Sequence, residues 1–387
     1  MRDVAVSDAE AADPTGGRLA KLSPGKRLLV ALSELWAWLF LALMILFFVV
    51  SVPVFSSATF VTVRNSQNIL TAIVPVVLLG LGQTFVIISA GIDLSVGWVM
   101  SLASVLSALA IRDSYNSGAP VWLAIILGLF AGTLGGGVVG FLNGVIIAKL
   151  KVPAFIVTLG SSFIVRGVAL LWSENTTVIG LPDIRAYGNE SMFYYVRGGG
   201  QYGGFYFLNK PQLPTEMLRQ LDRILPWPVV LTMVVVGMVM FLLHRTQFGR
   251  HTYAIGGNLE ASRRAGIPVD RHIIAIYALS SATAGIAGFL STLQYTAGSA
   301  VIGDPLLLSS IAAVIIGGVS LFGGAGTILG TVIGSLIIAV LTTGLVMLDV
   351  QAFWQFIVVG AVVIIAVLID QSRDLLVRRT DRSTAET

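Results

Sequence analysis

Long apolar stretches alternate with short polar segments along almost the whole chain. Crossing a bilayer core about 30 Å thick takes roughly 20 apolar residues in a helix, and ten stretches approach that length. The pattern therefore predicts an all-α polytopic membrane protein with about ten transmembrane helices, of which the third and eighth are short and polar enough to be broken or re-entrant. The predicted spans are 35–54, 69–90, 96–111, 121–148, 154–172, 228–243, 273–296, 306–321, 328–347 and 353–369.

The basic residues between the spans give the predicted orientation. Lys and Arg stay mainly on the cytoplasmic side, and about two thirds of the 24 fall there when both termini are cytoplasmic. An odd number of spans would leave either the basic C-terminal tail or the basic 244–272 loop outside. We therefore predict cytoplasmic tails, a transmembrane domain, one long outer loop and one cytoplasmic loop. Their respective ranges are 1–33 and 373–387, 34–372, 173–226, and 244–272.

Two parts of the chain match each other when the sequence is shifted by 198 residues. The aligned residues are Gly132, Thr133 and Gly136 with Gly330, Thr331 and Gly334, and Leu150, Val152, Ala154 and Phe155 with Leu348, Val350, Ala352 and Phe353. The match equates spans four and five with spans nine and ten. An offset of five spans reverses direction across the membrane, so the halves are predicted to be inverted repeats, as in many transporters.

Composition excludes several classes of protein. Hydrophobic residues make up 56% of the chain and charged residues only 11%, with a mean hydropathy of +0.88, so lipid must be the main solvent. The absence of Cys excludes disulfides and thiol nucleophiles. The three His residues share one polar loop and lack metal-site spacing, so we predict neither a metal site nor catalytic residues. The glycine-rich segment 316–327 lacks the Gly-Lys-Ser/Thr ending of a phosphate-binding loop, which argues against ATP binding by that means.

Two charges fall within or between apolar runs, where they are costly and often functional. Asp93 lies in Gly91–Gly97, where glycines allow the helix to break. Asp93 and Ser95 are then either helix caps or part of a transport path. Arg166 must face protein or water, and we favour a structural ion pair, with Asp93 or backbone carbonyls as partners, over contact with substrate.

Neutral polar residues also interrupt the spans. Each is individually typical of hydrogen bonds between helices, yet a path for a neutral polyhydroxy molecule would need such groups. The candidate path residues are Gln83, Asp93, Ser95, Asn143, Thr158, Gln294, Ser309 and Ser310.

The cytoplasmic loop 244–272 contains the signals of a short helix. Asn258 can cap a helix that begins near Leu259, and Glu260 suits its positive end. Gly266 and Pro268 would end that helix after about two turns. Basic residues beside a membrane often contact lipid headgroups, but a cap, a helix and a stop in this order favour docking to a partner protein.

Three ordered motifs resemble the ribose/xylose/arabinose-type permeases of bacterial ABC importers. They are Gly91–Gly97, the loop Gly249–Ile267, and Ser310–Gly324, and the resemblance covers about residues 60–372. It implies that the region Glu260–Gly266 is a coupling helix that seats in an ATP-binding subunit. The predicted coupling residues are Gly249, Arg250, Gly256, Gly257, Asn258, Glu260, Ala261, Arg263, Arg264 and Gly266.

The resemblance also implies partners and a location. They are a second copy of the chain, a cytoplasmic ATPase that binds ATP and Mg, a periplasmic or lipid-anchored sugar-binding protein, and the lipid of the bacterial inner membrane. No cofactor in this chain and no nucleic acid are expected. The expected activity is ATP-driven import of a pentose or hexose by alternating access, without catalysis by this subunit.

The chain departs from the family pattern in two places. Leu307-Leu308-Ser309 stands where typical members carry Glu-Leu-Asp, which leaves the sugar undetermined. The outer segment 173–226 is longer than usual and rich in aromatic residues, as in Phe193-Tyr194-Tyr195. We interpret it as a platform for the binding protein, or else as a hairpin that packs over the helices.

Three other functions stay open at this point. The first is a same-family importer of a nucleoside or an autoinducer-2-like molecule. The second is an ion-coupled secondary carrier, for which Asp93 and Asp304 are the available acidic residues. A membrane-embedded enzyme is the third, and the lack of paired carboxylates argues against it.

Overall fold

The computed structural model describes residues 36–197, 203–362 and 364–365. Within them the chain is mostly helical, with a small sheet on one side. The helices are α1 Trp36–Phe55, α2 Val63–Ile88, α3 Val96–Asn116, α4 Val121–Leu150, α5 Ala154–Trp172, α6 Arg185–Asn189, α7 Trp227–Arg245, α8 Gln247–Gly257, α9 Leu259–Arg264, α10 Val269–Tyr295, α11 Asp304–Ile316, α12 Ile328–Met347 and α13 Ala352–Val362. The strands are β1 Phe193–Val196, β2 Gly204–Phe207 and β3 Leu221–Arg223, with a 3₁₀ turn at Thr215–Gln220.

Eight of the described helices are long and apolar enough to cross a membrane, and α11 and α13 are shorter apolar helices. The prediction of about ten membrane helices therefore has a counterpart at every position. The third predicted span is a full 21-residue helix, whereas α11 has 13 residues and reaches only about 20 Å. Residues 1–33, 366–369 and 373–387, which include both predicted tails, lie outside the described residues.

Helices α2, α3, α10 and α12 form the buried centre of the transmembrane domain, and α1, α4, α5 and α7 present mostly exposed apolar side chains. Helix α4 lies against α10 through a row of buried glycines. A Cβ atom at Gly136, Gly140 or Gly144 would collide with the α10 backbone. Small residues allow this close approach, which is how helices associate in lipid without a hydrophobic driving force between them.

The predicted inverted repeat is present in the fold, with α2–α5 as the counterparts of α10–α13. Helix α5 begins at Ala154 and α13 at Ala352, 198 positions later. Each is preceded by a left-handed residue, Lys151 with φ 58° and Asp349 with φ 56°, again 198 apart. Helix α4 packs on α10, and α12 packs on α2, so the helix contacts exchange when the halves are exchanged.

A close backbone contact lies between the two halves. Gly97 in the first turn of α3 and Gly303 just before α11 face each other, and a Cβ atom on either would meet the backbone of the other. These glycines are 206 positions apart, as are the left-handed residues Ala90 and Thr296 that precede the two short breaks. The contact therefore lies where a pseudo-twofold axis between the halves would pass.

The outer segment contains a sheet that the all-α prediction did not include. Strand β1 pairs antiparallel with both β2 and β3, in the order β2-β1-β3. The guanidinium of Arg197 donates two hydrogen bonds, of 2.6 and 2.7 Å, to the carboxylate of Asp222. Aromatic residues suit a strand, and here they pair across it. The aromatic run that the sequence shows is therefore the central strand of this sheet.

Candidate functional site

The break between α2 and α3 contains the buried carboxylate of Asp93. Ala90 takes a left-handed conformation at the end of α2, and α3 starts again at Val96. The Asp93 carboxylate accepts hydrogen bonds from the backbone N–H of Ser95 at 2.9 Å, the Ser95 hydroxyl at 2.6 Å and the Ser280 hydroxyl at 3.0 Å. Asp93 is fully buried. Three donors offset the cost of burying a carboxylate that pairs with no cation among the described residues.

Neutral side chains from other helices extend this cluster. The amide of Gln83 on α2 donates to the backbone carbonyl of Asp93 at 2.5 Å, and the amide of Asn143 on α4 donates to the Ser95 hydroxyl at 3.1 Å. The hydroxyl of Thr158 on α5 lies 3.3 Å from the carbonyl of Ile92. We call the set Gln83, Asp93, Ser95, Asn143, Thr158 and Ser280 the polar node. It joins five helices at the break.

The structure brings five of the eight predicted path residues into the polar node and leaves three elsewhere. The hydroxyl of Ser309 donates to the carbonyl of Pro305, and that of Ser310 donates to the carbonyl of Leu307, both within α11. Gln294 lies at the far end of α10, where its backbone carbonyl accepts from Asn189. The role of all eight in a substrate path stays a prediction.

Ser280 is a member of the node that the sequence analysis missed. Its signal was the run Ser280-Ser281-Ala282-Thr283, which is unusually polar for the centre of an apolar span. Nothing in the local sequence pairs this run with Asp93, which lies 187 positions earlier.

Arg166 does not form the ion pair with Asp93 that we favoured from the sequence. Its guanidinium lies over the ring of Trp98, 4.7 Å from the ring centroid. The carboxylate of Asp93 is already bonded to Ser95 and Ser280 and is sealed from solvent. A cation over an indole face gains electrostatic stabilisation without any anion.

The loop after α7 folds into two short helices, α8 and α9. Asn258 caps α9, because its side-chain oxygen accepts a hydrogen bond from the N–H of Ala261 at 2.9 Å. Gly266 follows with φ +80°, and the N–H of Ile267 donates to the carbonyl of Ser262 at 3.1 Å. This is the glycine helix stop predicted from the sequence. We call α8 and α9 together the hairpin.

The hairpin is anchored on the end of α2. Gly256 lies so close to the carbonyl of Ile88 that a Cβ atom there would collide with it. The same Ile88 carbonyl accepts a 2.8 Å hydrogen bond from the N–H of Gly324. The Tyr253 hydroxyl donates to the carbonyl of Gly326 at 2.6 Å. Burial raises the pKa of this hydroxyl, so it stays a donor at physiological pH.

A carboxylate links the hairpin to the α4–α5 connection. Asp270, in the first turn of α10, lies 2.8 Å from the ammonium of Lys151, 3.7 Å from that of Lys149 and 3.6 Å from the guanidinium of Arg263 in α9. These groups line a shallow depression of about 430 Å³. The lining of this depression is basic apart from the Asp270 carboxylate.

The predicted coupling residues divide into two groups. Gly249 and Gly256 serve packing, since a Cβ on Gly249 would collide with the Leu243 backbone as one on Gly256 would with Ile88. The remaining residues lie on the exposed side of the hairpin: Arg250, Gly257, Asn258, Glu260, Ala261, Arg263, Arg264 and Gly266. A small surface with both charges, on a rigidly anchored base, can dock into a groove of a partner protein.

Comparison with known proteins identifies the family of the chain. Residues 65–367 match the family described as branched-chain amino acid transport system / permease component. The chain belongs to this permease family. It is therefore a multi-pass protein of the inner membrane, as the apolar helices and the sequence motifs predict.

Several curated relatives align over most of their length. The xylose transport system permease protein of Haemophilus influenzae is 35% identical over 85% of this chain and 96% of its own. The fructose import permease protein of Rhizobium meliloti is 36% identical over 78% and 76%, and the ribose import permease protein of Bacillus subtilis is 37% identical over 86% and 92%. No solved structure matches the chain.

Proposed function

We propose that this permease is the membrane subunit of an ATP-driven importer of a monosaccharide. The observation that carries the proposal is the anchored hairpin: its exposed helix α9 protrudes from a base fixed on the Ile88 carbonyl and on the glycine-rich loop 317–326. A separate ATPase binds ATP and Mg, and a periplasmic or lipid-anchored receptor delivers the sugar. The relatives named for xylose, ribose and fructose support a pentose or hexose as cargo.

The hairpin connects the proposed ATPase contact to the interior of the membrane. It touches α2 at Ile88, five residues before Asp93. A displacement of α9 by the ATPase would move the end of α2 at Ile88. The hydrogen bonds of the polar node would then couple this movement to α4, α5 and α10. Two copies of the chain, swung in this way between outward and inward forms, would give alternating access to a path between them.

The buried carboxylate of Asp93 argues against a zwitterionic cargo. A zwitterionic amino acid would need an accessible carboxylate for its ammonium group. The Asp93 carboxylate is fully buried and already has three donors. The same burial disfavours Asp93 as the acid of an ion-coupled carrier, because an acid that exchanges ions with water must reach water. Asp304, the other acidic residue considered for that role, is exposed at the start of α11. A nucleoside or an autoinducer-2-like molecule is neutral or hydroxyl-rich as well and is the alternative to a sugar.

The test is co-purification of the tagged permease with its ATPase in mild detergent. A Glu260→Arg/Gly266→Trp double variant should lose the ATPase, because it reverses a charge on α9 and places a bulky side chain at φ +80°. Glu216→Arg, a charge reversal in the outer segment, is the matched control and should keep it. Uptake of labelled D-xylose, D-ribose and D-fructose by the intact complex then identifies the cargo.

The outcomes separate the parts of this proposal. If a folded double variant retains the ATPase, the hairpin is not part of the ATPase contact. If the native complex holds an ATPase but takes up none of the three sugars, the importer assignment stands and the monosaccharide assignment is wrong.

A further inference from the structure

Arg166 is a charged residue in the middle of a membrane helix. It lies twelve positions after Ala154 and six before Trp172, the ends of α5. At a rise of 1.5 Å per residue its Cα is about 18 Å from the start of the helix and about 9 Å from its end. A charge at such a depth faces protein or water rather than lipid chains.

The guanidinium has no anionic partner. Among the described residues it forms no ion pair and no hydrogen bond, and its one polar interaction is with the ring of Trp98 at 4.7 Å. Asp93, the acidic residue of the node, is fully buried and saturated with donors. Arg166 is exposed despite this contact. Pairing with an anion therefore does not account for the charge, and the contact with Trp98 is the one electrostatic interaction of the guanidinium among the described residues.

Two contacts join α5 to α3 and its preceding break in the same order along both. Thr158 in the second turn of α5 lies against Ile92, just before α3, and Arg166, two turns further along α5, lies over Trp98, the third residue of α3. The contact with Trp98 therefore holds the guanidinium beside α3.

The contact with Trp98 leaves the N–H donors of the guanidinium available for hydrogen bonds. The contact with the indole uses none of the N–H donors in a hydrogen bond to a described residue. Arg offers up to five donors and no acceptor, and sugar hydroxyl oxygens are acceptors. On the same exposed side of α5 the neighbours Phe155, Leu159 and Phe163 are apolar. Arg166 is thus the one charged group on this apolar face of α5.

We infer that Arg166 lines the water-filled path between two copies of the permease and donates hydrogen bonds to the hydroxyl groups of the passing sugar. Trp98 holds the guanidinium in place. This inference rests on the proposed import of a monosaccharide and names a contact on its route. It also assigns a function to a charge that the polar node does not use.

The absence of cysteine in the chain makes accessibility directly measurable. Arg166→Cys and the control Leu134→Cys, at an exposed apolar position of α4, are reconstituted with the ATPase and the binding protein in proteoliposomes. Both are treated with the membrane-impermeant reagent 2-(trimethylammonium)ethyl methanethiosulfonate. Arg166→Cys should be labelled from water and Leu134→Cys should not. Saturating D-xylose, D-ribose or D-fructose should slow the labelling.

Uptake kinetics test the contact itself. Arg166→Gln should raise the KM for the transported sugar about ten- to a hundredfold, the loss of hydrogen bonds to a charged donor, while the ATPase still co-purifies. Arg166→Lys should recover part of this loss, because it restores the charge and some donors. A structural role alone would instead lower the amount of folded protein and leave KM unchanged.

Two results would overturn the inference. One is an Arg166→Cys variant that is labelled no faster than Leu134→Cys, which would place the residue against lipid or protein. The other is labelling that no sugar slows, combined with a normal KM in Arg166→Gln. If the native complex transports no sugar, the proposed cargo is wrong, yet faster labelling of Arg166→Cys would still support its place in the path.

Discussion

The two helix breaks, residues 89–95 and 296–303, occupy equivalent places in the inverted halves and differ in chemistry. Each contains a left-handed residue at or next to its first position, Ala90 or Thr296. Each is also covered by a glycine of an accessory segment: Gly256 of the hairpin on the Ile88 carbonyl, and Gly188 of α6 on the backbone of Leu293. The two halves thus use the same kind of contact: the hairpin packs a glycine on the end of α2, and the outer segment packs a glycine on the end of α10.

The side chains at the two breaks separate their roles. A shift of 206 residues places Ser299 opposite Asp93. The first break is tied to several helices through the Asp93 carboxylate, whereas the second uses serine hydroxyls of α3: Ser104 accepts from the N–H of Ser299 at 3.1 Å and Ser101 from that of Gly303 at 2.9 Å. The comparison teaches that symmetry fixes the backbone and leaves each site free to acquire its own polar contacts.

The largest expected effect is at the glycine contact shared by both breaks. Gly97→Val and Gly303→Val each push a side chain into the facing backbone and should destabilise the fold by about 3 kcal/mol or more. The readout is the yield of monodisperse protein and its thermal unfolding midpoint. Gly160→Val, at a helix position with open space around it, is the control and should behave like the native chain. Equal yields for all three variants would refute the contact between the halves.

The next effect distinguishes the two breaks. Asp93→Ala leaves the donors of Ser95 and Ser280 buried without an acceptor and should cost about 2–3 kcal/mol. Ser299→Ala removes one weak hydrogen bond, to the N–H of Val301 at 3.4 Å, and should cost about 0.5 kcal/mol. Unfolding midpoints of the two purified variants give the comparison. Similar decreases in the unfolding midpoint would mean that the polar contacts of the two breaks contribute equally to stability.

A smaller effect separates the two accessory anchors. Tyr253→Phe removes the hydrogen bond to Gly326, and Asn189→Ala removes the 2.9 Å bond to the carbonyl of Gln294. Each should cost about 1 kcal/mol. We expect Tyr253→Phe to weaken ATPase co-purification and Asn189→Ala to leave it intact. Binding-protein-dependent uptake should fall in both, and an ATPase loss in Asn189→Ala would break the division of roles.

The smallest expected effect is within the outer sheet. Arg197 pairs with the buried Asp222, and this hydrogen bonding raises the pKa of the Arg197 guanidinium. The guanidinium is half exposed, so solvent screens the pair. Arg197→Gln should lower the unfolding midpoint by only about 1–2 °C, with ATPase co-purification unchanged. High salt should shrink the difference further. A drop as large as that of Asp93→Ala would show that the sheet is part of the core.

The sequence by itself determined the elements whose causes are local. Apolar length predicted the helices, and Asn258 and Gly266 predicted the bounds of α9, because helix length, capping and left-handed glycine depend on neighbouring residues. The 198-residue match predicted the repeat, because equivalent residues recur in the two halves. Three features depended on tertiary packing: the partner of Asp93 on α10, the stacking of Arg166 on Trp98, and the strands of the outer segment. The first two join residues far apart in the chain, so only the packed helices decide which donor reaches the carboxylate and which surface receives the cation. The strands form only when the segments 193–196, 204–207 and 221–223 pair with one another.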